Sequence, residues 1–182
     1  MKNLVACFFA MMLLSCSLQD RKINALHDLY GQQISFPDSM LIASNGKLEK
    51  LQYRHDRPSV LCWLDSSVCN PCAVKGLYMW DDLINIGRSD SMSFDVVFVF
   101  TPKHDNRDVI LEEIMKRPAF NGIIMIDDDY SFINRNQNVY KKIEYFNTYL
   151  IDSEDTVKIV GNPIRNDSMW DLYLKTLKNP DL

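Results

Sequence analysis

Ser59-Val-Leu-Cys-Trp-Leu-Asp65 and, four residues further on, Cys69-Asn70-Pro71-Cys72 followed by Ala73 to Ile86 decide how this chain is read. Val60 to Leu64 is an unbroken apolar run of strand length, which predicts a strand buried on both faces. The residues from Pro71 to Ile86 predict a helix, with Val74, Leu77, Tyr78, Leu83 and Ile84 as its packing face and Gly87 as its end signal. Two thiols are thus delivered by a strand to the first turn of a helix. The free N–H groups and positive dipole end of a helix stabilise a thiolate there, which lowers its pKa and activates the sulfur. Pro71 fits that first turn, because it has no N–H to leave unpaired and its φ is already near the helical value.

Working outward, Ile34 to Phe36 and Met40 to Tyr53 read as short strands around a turn at Ser44-Asn45-Gly46, an Asn-Gly hairpin signal. Phe94 to Phe100 is β-branched and aromatic almost throughout, the clearest strand in the chain, and Pro102 stops it. Asp105 or Asn106 is placed to cap a helix over Arg107 to Lys116, which Pro118 closes. Gly122 to Ile126 predicts another buried strand, ended by Asp127-Asp128-Asp129, which reads as a solvated strand end. Residues 130–144 are mixed, with room for a short helix. Thr148 to Ile151 and Thr156 to Val160 predict two strands joined at Asp152-Ser153-Glu154-Asp155. Asp167 opens a last helix, Ser168 to Leu177, with Met169, Leu172, Tyr173 and Leu177 on its apolar side. Helices separating buried strands require crossover connections, and the last two strands are close enough to pair antiparallel. The expected fold class is α/β: a central mixed sheet with helices on both faces and an amino-terminal β-hairpin extension.

The amino terminus speaks to the compartment. Met1-Lys2-Asn3 precedes an apolar run of eleven residues, Leu4 to Leu14. A spanning helix needs about 20 residues, so the run has the length of a secretory h-region instead. It ends in Leu13-Leu14-Ser15-Cys16, which resembles the lipobox of bacterial lipoproteins. The resemblance implies a signal peptide over residues 1–15, cleavage before Cys16, and acylation of Cys16. Residues 16–29 would then be a lipid-anchored tether, with room for a short helix, that lets the domain stand off the membrane, and residues 30–182 the folded domain. Ser17 after the cysteine, rather than an acidic residue, favours the outer membrane over the inner by the same resemblance. Two or more acyl chains, at about 0.8 kcal/mol per buried CH₂, anchor stably where one does not.

Composition narrows the function classes. The formal charge of −4 becomes −5 once residues 1–15 are removed, and Lys and Arg are scattered. That balance argues against a nucleic-acid surface. The remaining 167 residues suit one domain with a sizeable core. Of five cysteines, Cys7 leaves with the signal and Cys16 is blocked by lipid, so Cys62, Cys69 and Cys72 face an oxidising compartment. Cys62, inside the apolar run, reads as a buried small hydrophobe. His27, His55 and His104 are isolated, and a CxxC is only half of a structural zinc site, so no metal and no cofactor is expected. The acidic triplet lacks the glycine and spaced ligands of a calcium loop.

A strand, CxxC at a helix start, a βαβ crossover, and a closing β-hairpin and helix resemble the thioredoxin fold. The match is nearest to the TlpA-type thioredoxin-like thiol–disulfide oxidoreductases that are membrane-anchored in bacterial envelopes. Thr148-Tyr-Leu-Ile-Asp152 followed by Val157-Lys-Ile-Val-Gly161 is similar to that family's terminal strand pair, and the resemblance covers roughly residues 30–178. It implies that Cys69 is the exposed nucleophile and Cys72 the resolving thiol, exchanging dithiol for disulfide with envelope proteins and with a thiol electron donor, on the periplasm-facing side. Three positions depart from the pattern: Val68 replaces a tryptophan, Trp63 stands where thioredoxins carry a proton-moving acid, and Tyr145-Phe146-Asn147 contains no cis-proline. Asp65, four positions before Cys69, reads either as a substitute acid or as an exposed turn residue. Ser66-Ser67-Val68-Cys69 partly resembles the Ser-x-x-Cys of peroxiredoxins, although their proline would fall at Cys62. A thiol peroxidase and a non-catalytic binding lipoprotein with a structural disulfide are the alternatives.

Overall fold

The computed structural model describes residues 19–44, 47–54, 56–65, 67, 70–89, 92–103, 106–117, 119–164 and 166–178. Helix α1 covers residues 19–29. The hairpin strands β1 (Met40–Ser44) and β2 (Lys47–Leu51) follow, then β3 (Ser59–Leu64) and α2 (Asn70–Lys75). A 3₁₀ segment, Gly76–Trp80, leads into α3 (Asp81–Gly87), followed by β4 (Asp95–Phe100), α4 (Arg107–Met115) and β5 (Ile123–Ile126). Two short helices, α5 (Ser131–Arg135) and α6 (Gln137–Tyr140), precede β6 (Thr148–Ile151), β7 (Val157–Val160) and α7 (Asp167–Lys178).

The seven strands form one sheet in the order β2-β1-β5-β4-β3-β6-β7. β3, β4 and β5 are mutually parallel neighbours, and the remaining pairings are antiparallel. The mixed sheet of the expected α/β class is therefore present, and the amino-terminal hairpin joins it through β1 beside β5. Ser44 pairs with Lys47, which fixes the register of the hairpin. Its Asn45-Gly46 turn lies outside the described residues, as does Asp105 of the expected cap.

Alternation along the strands divides the core between two faces. Val60, Cys62 and Leu64 pack with Val74, Leu77, Leu83 and Tyr173 on one side. Leu61 and Trp63 pack with Leu29, Phe132 and Val139 on the other. All six residues of β3 are buried, so the strand predicted to deliver the dithiol lies at the centre of the molecule.

Four expectations are corrected. The helix over Pro71 to Ile86 is not continuous. At Gly76, whose helix propensity is poor, the chain tightens into 3₁₀ winding, in which positions i and i+3 eclipse. Leu77 and Trp80, three apart, are buried, while Tyr78 turns outward at 64 % exposure instead of joining the packing face. Trp80 meets Phe98 edge-to-face at 5.2 Å. Ile34 to Phe36 is not a strand. Ile34 is buried and donates its N–H to the Asp155 carbonyl, and only Gln33 forms a bridge, to Thr156. In α7, Tyr173 is the buried residue and donates its hydroxyl to the Gly161 carbonyl at 2.6 Å, whereas Leu172 is exposed. The segment expected as a tether carries a helix from residue 19, but the helix packs on the domain instead of spacing it off, with Ala25 and Leu29 buried and Asp28 paired to Lys142 at 2.7 Å.

Gly87 ends α3 where the chain folds back on itself. A Cβ there would lie 2.5 Å from the Phe94 carbonyl oxygen and 2.9 Å from its ring. Backbone cannot yield cheaply, so Gly87→Ala is expected to destabilise the fold by about 1–3 kcal/mol, the range of overpacked sites. A urea unfolding midpoint lowered with an unchanged m-value is the check.

Candidate functional site

The carboxyl ends of β3, β4 and β5 and the start of β6 meet at one edge of the sheet, because the first three are parallel and β6 runs back against β3. Open α/β sheets place their sites at this edge. The residues following β3 lead directly into α2, and Cys72 is the third residue of that helix. Cys72 is exposed and disulfide-bonded; its partner lies outside the described residues. Cys69 also lies outside them, as do Cys16 and the expected signal segment 1–15.

Asp65 is not the exposed turn residue that its position suggested. It is buried at 7 % exposure, and one carboxylate oxygen accepts both the Ser67 N–H, at 3.1 Å, and the Ser67 hydroxyl. The other accepts the Tyr140 hydroxyl at 3.5 Å. The Asp65-x-Ser67 spacing is that of an Asx turn, a signal the sequence carried. Tyr140, by contrast, comes from α6, and no local pattern connects it to Asp65. Burial and the adjacent carboxylate push the Tyr140 phenol upward.

Asp127 is the second correction, since it is buried rather than a solvated strand end. Its carboxylate accepts the backbone N–H groups of Phe132, at 2.8 Å, and Ile133, at 3.2 Å, tying the start of α5 to the end of β5. Burial pushes its pKa up from the ordinary aspartate value despite these bonds. Thr101 donates its hydroxyl to Asp127 at 3.4 Å and accepts the Trp63 indole N–H at 3.1 Å. Trp63, at the position of the family's acid, is fully buried and edge-on to Phe132 at 4.7 Å. Its neighbours in the triplet behave as surface acids: Asp128 pairs with Arg107 at 2.9 Å, and Asp129 caps the Ser131 N–H at 3.0 Å.

In the proline-free stretch Tyr145-Phe146-Asn147, the Asn147 carbonyl accepts the Trp63 N–H at 2.7 Å and extends the β3–β6 ladder by one rung. The Asn147 side-chain oxygen accepts the Thr148 hydroxyl at 3.2 Å. Among the described residues no peptide bond is cis, and no group of three or more His, Cys, Asp or Glu side chains is arranged to hold a metal ion. No helix among them is long and apolar enough to cross a membrane.

No protein-family model matches the chain, and no curated protein matches its sequence significantly. Solved structures do. A thioredoxin-like protein in its oxidised form is 16% identical with a TM-score of 0.50, the match covering 82% of this chain and 96% of that one. A proposed protein disulfide isomerase from Bacteroides thetaiotaomicron is 12% identical with a TM-score of 0.50, over 81% and 89% of the two chains. Enterococcus faecalis AhpC is 10% identical with a TM-score of 0.50, over 85% and 97%. The fold is the thioredoxin fold. At these identities the likeness is one of fold.

Cys62 lies in this fold as the sequence predicted. It is buried, with the Thr148 hydroxyl 3.7 Å from its sulfur, and burial pushes its thiol up to about 12. At about pH 8 only some 10⁻⁴ of such a thiol is ionised. Cys62 is therefore expected to resist iodoacetamide in the native protein and to react at the rate of a free thiol once unfolded. Mass-mapped alkylation with and without denaturant is the check.

Proposed function

We propose that the chain is a thiol–disulfide oxidoreductase whose working pair is Cys69–Cys72, acting as a reductase on disulfides of bacterial envelope proteins from an acylated Cys16. The observation that carries this reading is Cys72, exposed and disulfide-bonded in the first turn after a buried central strand of a thioredoxin fold. Cys69, three positions earlier, is the partner that the CxxC spacing offers. Helical backbone, α then 3₁₀ then α, runs from Asn70 to Gly87, and its positive dipole end at Asn70 is next in sequence to Cys69.

In the reduced state the Cys69 thiolate attacks one sulfur of a partner disulfide. The Cys69–partner bond forms, the partner's own S–S bond breaks, and its second sulfur leaves as a thiolate that takes up a proton. Cys72, deprotonated, then attacks the Cys69 sulfur and expels the first partner sulfur. The partner leaves as a dithiol, and the enzyme leaves as the Cys69–Cys72 disulfide. A thiol donor restores the dithiol by the same two exchanges in reverse. A structural staple is the weaker reading, because so short a loop removes little entropy from the unfolded chain.

The test is trapping. Cys72→Ser removes the resolving thiol, so reduced protein exposed to an envelope extract is expected to accumulate mixed disulfides through Cys69, cleaved by dithiothreitol. Cys69→Ser should form none, at least about tenfold fewer by the pKa argument. Equal trapping by both variants, or by neither, would remove the proposal. Acylation of Cys16 is read separately from the mass of the amino-terminal peptide.

A further inference from the structure

Nine large hydrophobic side chains are exposed among the described residues, and four of them lie on or next to two helices: Ile23 and Leu26 on α1, Tyr30 directly after it, and Leu172 on α7. Ile23, Leu26 and Tyr30 recur at i, i+3 and i+7, and the Tyr30 N–H donates to the Leu26 carbonyl at 3.0 Å, so they form one stripe along α1 and its exit, distinct from the buried Ala25 and Leu29 that hold the helix to the domain. Leu26 and Tyr30 line a groove with Val160, Met169, Leu172 and Lys175, which places the stripe and α7 on either side of β7, the edge strand of the sheet. The four side chains are 40–63 % exposed, and the other exposed hydrophobics (Leu51, Tyr78, Val109, Met115 and Tyr130) belong to other elements.

We infer that this α1/α7 face is where the domain lies on the bilayer that holds its anchor. The inference rests on the acylation of Cys16. Only two residues, Ser17 and Leu18, separate Cys16 from the helix that is present at residue 19, a reach of at most about 11 Å. A helix tied that closely to buried acyl chains cannot stand off the membrane, and the face it shares with α7 is the one that carries unpartnered apolar surface. An amphipathic face of this kind sinks about 5–10 Å into the boundary between headgroups and acyl chains. Lys158 and Lys175 line the same groove, the Lys158 ammonium pairing with Asp152 at 2.9 Å. The 16–29 segment is then a docking element rather than a spacer. The sheet lies edge-down, and the strand ends that carry Asp65 and Cys72 remain open to partners at the side.

The experiment uses the full chain, made with its signal in an acylating bacterial host and reconstituted in phosphatidylethanolamine–phosphatidylglycerol vesicles containing a diazirine-tagged phosphatidylcholine. After irradiation and digestion, lipid adducts are expected on peptides covering residues 19–30 and 167–178, at roughly ten times the level on peptides carrying Tyr78 or Met115. Leu26→Asp combined with Leu172→Asp should lower those adducts about fivefold while leaving Cys16 acylation and the far-UV spectrum unchanged. Adducts that are absent, evenly spread, insensitive to the double substitution, or replaced by protein–protein crosslinks through α1 and α7, on a chain whose amino-terminal peptide is acylated, would overturn the docking and leave the anchor standing. An amino-terminal peptide without acyl chains would overturn both.

Discussion

Burial of β3 on both faces and along both edges is the constraint on which the rest of the structure depends. Its six residues are at most 8 % exposed, with β4 pairing on one side and β6 on the other. Each large apolar side chain so buried contributes about 1.5–3 kcal/mol, and the alternation of the strand assigns Val60, Cys62 and Leu64 to one core and Leu61 and Trp63 to the other. A slip of one residue would exchange the two sets. The strand therefore ends at one defined point, and Asp65 and the residues leading into α2 begin there. Where α2, with Cys72, begins is thus set by a packing constraint rather than by local turn chemistry alone.

The edge reached by β3 is more polar inside than the composition of the strands suggests. Asp65, Thr101 and Asp127 are all buried there, and each carries hydrogen bonds that join separate elements: Asp65 to α6 and Thr101 to Trp63 across long stretches of sequence, Asp127 to the next helix, α5. Buried groups of this kind are costly when unpartnered and specify a single arrangement when satisfied. The Trp63 indole N–H enters the same network through Thr101. Asn147 extends the β-ladder through its carbonyl. This edge thus keeps the backbone course of the fold with Trp63 and Asn147 as two of its fixed points.

Most of the architecture was legible in the sequence, because buried strands announce themselves. Phe94 to Phe100, Gly122 to Ile126 and Thr148 to Ile151 are runs that only a sheet interior accommodates, and the structure has strands at Asp95–Phe100, Ile123–Ile126 and Thr148–Ile151. Helical periodicity was a poorer guide. It put Tyr78 and Leu172 in the core, and both are exposed, since the 3₁₀ winding after Gly76 rotates the face at the first and Tyr173 takes the buried position at the second. The acids misled more seriously. Charge predicts exposure on average, yet Asp65 and Asp127 are buried because each has donors waiting: the Ser67 and Tyr140 groups for one, the first N–H groups of α5 for the other. Partners that arrive from a distant element leave no local pattern to read. The docked helix α1 was hidden for a related reason, since its few buried side chains, Ala25 and Leu29, are too sparse to stand out in a polar segment.

The reduction potential of the Cys69–Cys72 pair tests the central claim most directly. The acylated full chain, held in detergent and titrated through thiol–disulfide buffers with alkylation and mass as the readout, should show a reversible two-electron couple above about −300 mV, shifting about 30 mV per tenfold change in ratio. A pair locked oxidised well below that potential, or a Cys72 whose disulfide partner is not Cys69, would contradict the account and leave a binding protein on a thioredoxin fold.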